Sequence, residues 1–141
     1  QPSRRSGLKF DANKEVLMIV HTILYVADQN KSCDFYKAIL RLEPQLHVPG
    51  MTEFKLSEKH ILGLMPELGI KKLLGDKLPD PSKASGVPRA ELYIRVENPE
   101  PMFEEALRLG AIALSPILER NWGGRAGYVM DTDGHVLAFA T

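Results

Sequence analysis

The sequence predicts an α+β fold of two tandem β-α-β-β-β modules within one domain, and three observations predict it. Two strand-like segments, His21-Thr-Ile-Leu-Tyr-Val26 and Glu91-Leu-Tyr-Ile-Arg-Val96, stand 70 residues apart, and each leads into a helix start, at Asp28 and Asn98. Further on, Lys59-His-Ile-Leu-Gly-Leu-Met65 matches Gly134-His-Val-Leu-Ala-Phe-Ala140 at an offset of 75, aligning His60 with His135 and Gly63 with Ala138. Two matches in the same order, around a helix of the same kind, indicate an internal duplication. Finally, 141 residues with 44% apolar and 26% charged side chains suit a single globular core that needs no disulfide or metal to hold it.

Each element has its own signal. Alternating residues from Val16 to Val26 predict the opening strand. A helix follows from Gln29 to Arg41, capped by Asp28 or Asn30, with Phe35, Tyr36, Ile39 and Leu40 as its apolar stripe. Short strands at Gln45–Val48, Thr52–Leu56 and His60–Met65 are separated by turns at Val48-Pro-Gly50 and Ser57-Glu-Lys59. In the second module Asn98 is the expected N-cap, Pro99 the first helical residue and Gly110 the stop. Strands at Ile112–Leu118, Ala126–Met130 and His135–Ala140 complete it. The expected division of the single domain 1–141 is 16–66 for the first module, 67–88 for a linker and 89–141 for the second. Within the linker Leu68–Leu74 can form a short helix, while Asp76–Gly86 reads as open loop or lid.

Charge and composition exclude several functions. Eighteen Lys plus Arg balance eighteen Asp plus Glu, and the densest cationic pairs are Arg4-Arg5 and Lys71-Lys72, so no nucleic-acid surface is expected. The longest clean apolar run, Val16–Val20, is far short of the roughly 20 residues that span a bilayer, so no membrane partner is expected. The opening Gln1–Gly7 has no apolar stretch of a secretory signal, and the single Cys33 offers no intrachain disulfide, so a cytoplasmic setting is expected.

Strand alternation divides the leading strands into two faces. Thr22, Leu24 and Val26, and likewise Leu92, Ile94 and Val96, suit packing under a helix. The opposite faces carry His21, Ile23 and Tyr25, and Glu91, Tyr93 and Arg95. Apolar walls with a few placed polar groups are what a small-molecule site needs. His21 and Glu91 occupy equivalent repeat positions. The Asn121-Trp-Gly-Gly-Arg125 turn adds two further candidates. Trp122 is either a buried turn anchor or a platform for a ligand, with Arg125 or Arg95 meeting an anionic group.

The duplication, the opening His21-Thr-Ile-Leu-Tyr-Val-Ala-Asp, Asp34-Phe-Tyr on the first helix and the closing Asp131-Thr-Asp-Gly-His135 resemble the vicinal oxygen chelate superfamily. This superfamily includes glyoxalase I, extradiol dioxygenases, fosfomycin-resistance enzymes and bleomycin-resistance proteins. The resemblance implies a curled mixed sheet around a cup, with the ligand inside and the helices outside. It also implies metal-ligand positions on the leading and last strand of each module. The leading-strand positions are His21 and Glu91; the last-strand positions are Gly63 and Ala138, which offer no ligating side chain. The neighbouring residues on both last strands offer none either.

The reading is therefore a glyoxalase/bleomycin-resistance-like small-molecule binding protein with no cofactor and no tightly bound metal. Ile23, Tyr25, Tyr93, Arg95, Trp122 and Arg125 are its ligand-binding residues, and His21 with Glu91 its candidate catalytic pair. The alternative is a divalent-metal-dependent lyase or isomerase of glyoxalase type, using His21 and Glu91 as ligands or as the proton-transfer groups. The resemblance implies a homodimer. His60 and His135 are expected to flank turns, and His47 to lie at the surface. Cys33 is expected to be a packed or surface thiol, and Asp131-Thr-Asp133-Gly134 a plain turn.

Overall fold

The computed structural model describes residues 18–141. Residues 1–17, with Arg4, Arg5 and the first two residues of the expected opening strand, lie outside the described residues. The chain runs β1 (Val20–Val26), α1 (Gln29–Leu40), β2 (Leu46–Val48), β3 (Met51–Ser57) and β4 (His60–Pro66). After α2 (Glu67–Leu74) it continues through β5 (Glu91–Arg95), α3 (Glu100–Arg108), β6 (Ile112–Glu119), β7 (Arg125–Met130) and β8 (Val136–Ala140). This is the α+β fold of two β-α-β-β-β modules.

Each module forms a four-stranded mixed sheet, in the orders β1-β4-β3-β2 and β5-β8-β7-β6. The leading strand pairs parallel with the last one: His21 sits opposite Ile61 and Ile23 opposite Gly63, as Glu91 sits opposite Val136 and Tyr93 opposite Ala138. The repeat offsets of the sequence are thus the offsets of the hydrogen-bond register. Strands β4 and β8 are central, flanked on both sides, and their near-continuous apolar sequence reflects that burial.

The first helix ends its orphan donors as expected: the Asp28 carboxylate accepts from Lys31 N at 3.0 Å. Ser32, Cys33, Tyr36 and Ile39 form its buried face, and Phe35 meets the Tyr36 ring edge-on at 5.0 Å. Phe54, Leu62 and Leu64 of the first sheet join Val129, Leu137 and Phe139 of the second in one hydrophobic core. Helices α1 and α3 touch across it.

Most strand and helix ends fall within about one residue of expectation, and three differences have a physical reason. Strand β1 begins only at Val20, because its partner β4 begins at His60, after the turn that ends β3. In α3 the cap position is Pro99 rather than Asn98, since the first intrahelical bond runs from Phe103 N to the Pro99 carbonyl at 3.1 Å, and Pro99 has no side-chain acceptor to offer. The linker is more ordered than an open loop: α2 is followed by two 3-10 turns, Gly75–Lys77 and Pro81–Ala84.

The Asp131–His135 turn does more than reverse the chain. It is a buried polar bridge from the second module to the first. Asp133 accepts from Ala27 N at 2.8 Å and from Ser32 Oγ at 3.4 Å, and Asp131 accepts from Tyr36 Oη at 2.5 Å. His135 donates from Nε2 to Tyr25 O at 2.9 Å. Arg89 donates to Asp133 O at 2.5 Å, which ties the end of the linker to the same turn. Gly134 (φ +94°) lies so close to Gly86 that a Cβ would come within 2.7 Å of its carbonyl carbon.

Candidate functional site

Strand alternation places His21 and Ile23 on the face of the first sheet away from α1, while Leu24 and Val26 are buried beneath it. Glu91, Tyr93 and Arg95 alternate in the same way with the part-buried Leu92 and Ile94. The helix-free faces stay open, with Ile23 40% and Tyr93 39% exposed.

His21 has a partner that the sequence did not reveal. Its Nδ1 lies 3.7 Å from Glu53 Oε2, and Gln45 Nε2 donates to the other Glu53 oxygen at 2.9 Å. Glu53 stands opposite Gly63 in the β3–β4 register. Only pairing across β4 brings it near His21, and no spacing in the chain announces that.

The second sheet gathers aromatic and cationic groups. Trp122 Nε1 donates to Tyr93 Oη at 2.9 Å, and the two rings line a cleft of about 240 Å³ with Arg95 and Thr141. Trp122 is 59% exposed, which removes the buried-anchor reading. Nearby, Arg120 lies over the Tyr128 ring at 5.2 Å. Partial burial raises the Tyr128 phenol above its ordinary range; the Glu91 carboxylate and Tyr93 add to the effect and Arg120 opposes it. Glu91 therefore stands within electrostatic reach of Tyr128.

Other candidates are placed elsewhere. Arg125 forms a two-pronged ion pair with Glu100 of α3, at 2.6 and 3.3 Å, and does not line the Trp122 cleft. That pairing holds the Glu100 carboxyl below its ordinary range. Tyr25 and Ile23 border a cleft of about 310 Å³ beside Arg89, His135 and the linker's Leu78. Another cleft, about 820 Å³, takes Glu91, Tyr93 and Arg95 together with Thr22 and His60 but not His21. There Thr22 Oγ1 and His60 Nε2 share a hydrogen bond of 2.8 Å. His47 bonds Thr52 Oγ1 at 2.7 Å through Nδ1 and is exposed. Cys33 is buried, and that burial raises its thiol, with Asp34 adding to the effect, so it is a packed residue and a poor nucleophile.

The positions where the sequence resemblance places carboxylate ligands are closed by packing. A Cβ on Gly63 would lie 3.0 Å from Ile23 Cγ1 and 3.3 Å from Met51 Sδ. Ala138 is fully buried, in register with Tyr93 on one side and Tyr128 on the other. Among the described residues no group of three or more His, Cys, Asp or Glu is placed to hold a metal ion. A catalytic divalent site takes about three protein ligands, and this donor set does not fit one.

The family model for the Glyoxalase/Bleomycin resistance protein/Dioxygenase superfamily matches residues 18–139. The chain belongs to that superfamily. Solved structures share the fold. A glyoxalase-related enzyme from Fulvimarina pelagi is 21% identical, with 89% of this chain and 88% of that chain covered and a TM-score of 0.74. A glyoxalase/bleomycin resistance protein/dioxygenase family enzyme from Burkholderia phytofirmans PsJN is 15% identical, with 85% and 94% covered and a TM-score of 0.72. An Agrobacterium tumefaciens protein determined in solution by NMR is 27% identical, with 84% and 91% covered and a TM-score of 0.65. No curated protein matches the chain. No helix among the described residues is long and apolar enough to cross a membrane.

Proposed function

We propose that this superfamily member binds a small organic molecule on the helix-free faces of its sheets, as a homodimer and without a tightly held metal. The observation that carries the reading is the replacement of ligand positions by apolar and aromatic wall. Ile23 fills the space beside Gly63, and Tyr93, tethered to the exposed Trp122, stands beside Ala138. Apolar walls with a few fixed polar groups favour a mostly apolar ligand over a chelated ion. In this reading Tyr93 and Trp122 stack on the ligand, Arg95 meets an anionic substituent, Ile23 and Tyr25 supply wall, and His21 and Glu91 supply hydrogen bonds or proton transfer. Arg125 acts only if it leaves Glu100.

The test combines elemental analysis with thermal melts and Trp122 fluorescence. Purified protein is expected to carry less than about one-tenth equivalent of zinc, nickel, manganese or iron, and chelator is expected to leave the melting temperature unchanged. A panel of aromatic acids and phenols is expected to include compounds that change Trp122 emission. Trp122→Phe should weaken their binding while moving stability by no more than about 0.5 kcal/mol, because the side chain is mostly exposed. Near-stoichiometric metal that both His21→Ala and Glu91→Ala abolish would overturn this reading and establish the metal-dependent lyase instead.

A further inference from the structure

We propose that the ligand is an amphipathic anion: a carboxylate held at Arg95, with an unbranched aliphatic tail that passes round the free edge of β5 into the cleft between the modules. The inference rests on the reading that Tyr93 and Arg95 receive a small molecule on the open face of the second sheet. It names the chemical class of that molecule.

Strand order opens the path. β5 is an edge strand, hydrogen-bonded only to β8. Its two faces therefore meet at a free edge, and the cleft of about 820 Å³ takes residues from both. Tyr93 and Arg95 come from the open face, Leu92 and Ile94 from the helix-covered one. Tyr93 and Arg95 also line the smaller Trp122 cleft, so the two clefts join at this pair.

The walls on either side of that junction differ. Trp122 and Tyr93 offer flat aromatic rings, whereas the wall of the large cleft is aliphatic, with Leu42, Leu56, Leu62 and Met102 beside Leu92 and Ile94. Its volume lies high in the range of roughly 300–1,000 Å³ usual for small-molecule sites. On the first-sheet side Thr22 and His60 bond each other at 2.8 Å, so that wall does not depend on a ligand for a hydrogen bond. An aliphatic chain matches such a lining.

Charge then sets which end lies where. Arg95 is exposed and forms no ion pair with a carboxylate among the described residues. The cleft's other arginine, Arg41, is within electrostatic reach of the Glu105 carboxylate. Glu91, the acidic residue of the cleft, precedes Arg95 by four positions on the strand, about 13 Å of rise, and leaves the Arg95 charge unmatched. A ligand carboxylate supplies the missing counter-charge, and a guanidinium can hold it by two parallel hydrogen bonds.

Isothermal titration of the full chain with hexanoate, octanoate and decanoate tests this. Burying one methylene fully is worth about fourfold in affinity, and a tail partly open to water gains less, so a rise of about two- to fourfold per methylene is expected. Arg95→Gln should weaken all three acids at least about tenfold, the loss of a charge-assisted hydrogen bond, and leave the increment per methylene unchanged. Leu42→Asp puts a charge at a position already 36% exposed. It should flatten the increment and change hexanoate least, and Leu42→Asn should do the same more weakly if the charge disturbs folding. An increment below about twofold per methylene overturns the place of the tail. An increment that neither Arg95→Gln nor the Leu42 variants alter is adventitious binding to apolar surface elsewhere, and overturns the proposal too. So does a Leu42→Asp chain that sediments as a monomer where the wild type is a dimer, with the acids unaffected, since the cleft would then belong to a second copy. Aromatic acids that change Trp122 emission while no aliphatic acid binds overturn this inference and leave small-molecule binding standing. If neither class binds, both readings fall.

Discussion

Glu67 opens α2 with a carboxyl that is 7% exposed and has one oxygen, Oε2, without a hydrogen-bond partner. Burial raises its pKa, and the Asp133 carboxylate adds to that, while Arg89 and His135 oppose it. A carboxyl with a raised folded pKa holds its proton more tightly in the fold than in the unfolded chain. Its contribution to stability is therefore fully present below the ordinary glutamate range, about pH 4.3, and is lost as pH rises through the folded value. Glu67→Gln has no proton to lose. It is expected to melt higher than the wild type near pH ~7 and to lose that advantage near pH ~4, where both side chains are neutral. Paired melts at the two pH values check the sign. An advantage that is larger at the acid end would mean that the charged form is the one the fold prefers. The same residue shows why sequence reading stopped short: a glutamate at a helix start reads as a surface residue favoured by the helix dipole. Only the return of the Asp131–His135 turn brings the Asp133 carboxylate within electrostatic reach of it.

At the scale of elements, the two modules were legible because local patterns carry them. Alternation, caps and the two offsets need no partner to be read, and the strand register repeats them residue for residue. What stayed hidden depends on contacts across the chain. Glu53 reaches His21 only through β4, and Asp131 meets Tyr36 from 95 residues away. The Asp-Thr-Asp-Gly run has the composition of an ordinary turn, and nothing local says that its carboxylates are buried against α1. That burial predicts a cost. Tyr36→Phe removes the donor to Asp131 Oδ2, in a site where Tyr36 is 1% and Asp131 4% exposed. A charged acceptor left bare should cost about 1.5–3 kcal/mol, read as a lower urea midpoint with an unchanged slope. Asp131→Asn in the Tyr36→Phe background should add less than it does alone, since the two groups share one bond. Burial, followed by the Asp131 charge, raises the Tyr36 phenol well above its ordinary range. Wild-type stability should therefore fall above about pH 10, where the unfolded chain ionises and the fold does not. Tyr36→Phe removes this source of alkaline loss.

At the scale of the whole molecule, two sheets that share no hydrogen-bonded strand are joined through one apolar core and one polar bridge. The duplicated modules are thus related in pattern but not independent in stability, and they should unfold together. Leu62→Ala tests this from the first module. Leu62 is fully buried in the shared core, and a truncation there should cost about 2–5 kcal/mol from lost transfer energy and the cavity left behind. Trp122 reports on the second module, through its bond to Tyr93, while far-ultraviolet dichroism reports on both. In the wild type the two signals should melt at one temperature, as a two-state transition requires. In Leu62→Ala both should move down by the same amount, although the deleted atoms and the indole belong to different modules. If the Trp122 signal kept its wild-type midpoint while the dichroism began to fall earlier, the second module would be standing without the first. The core and the Asp133 bridge would then be contacts between two folding units rather than the interior of one.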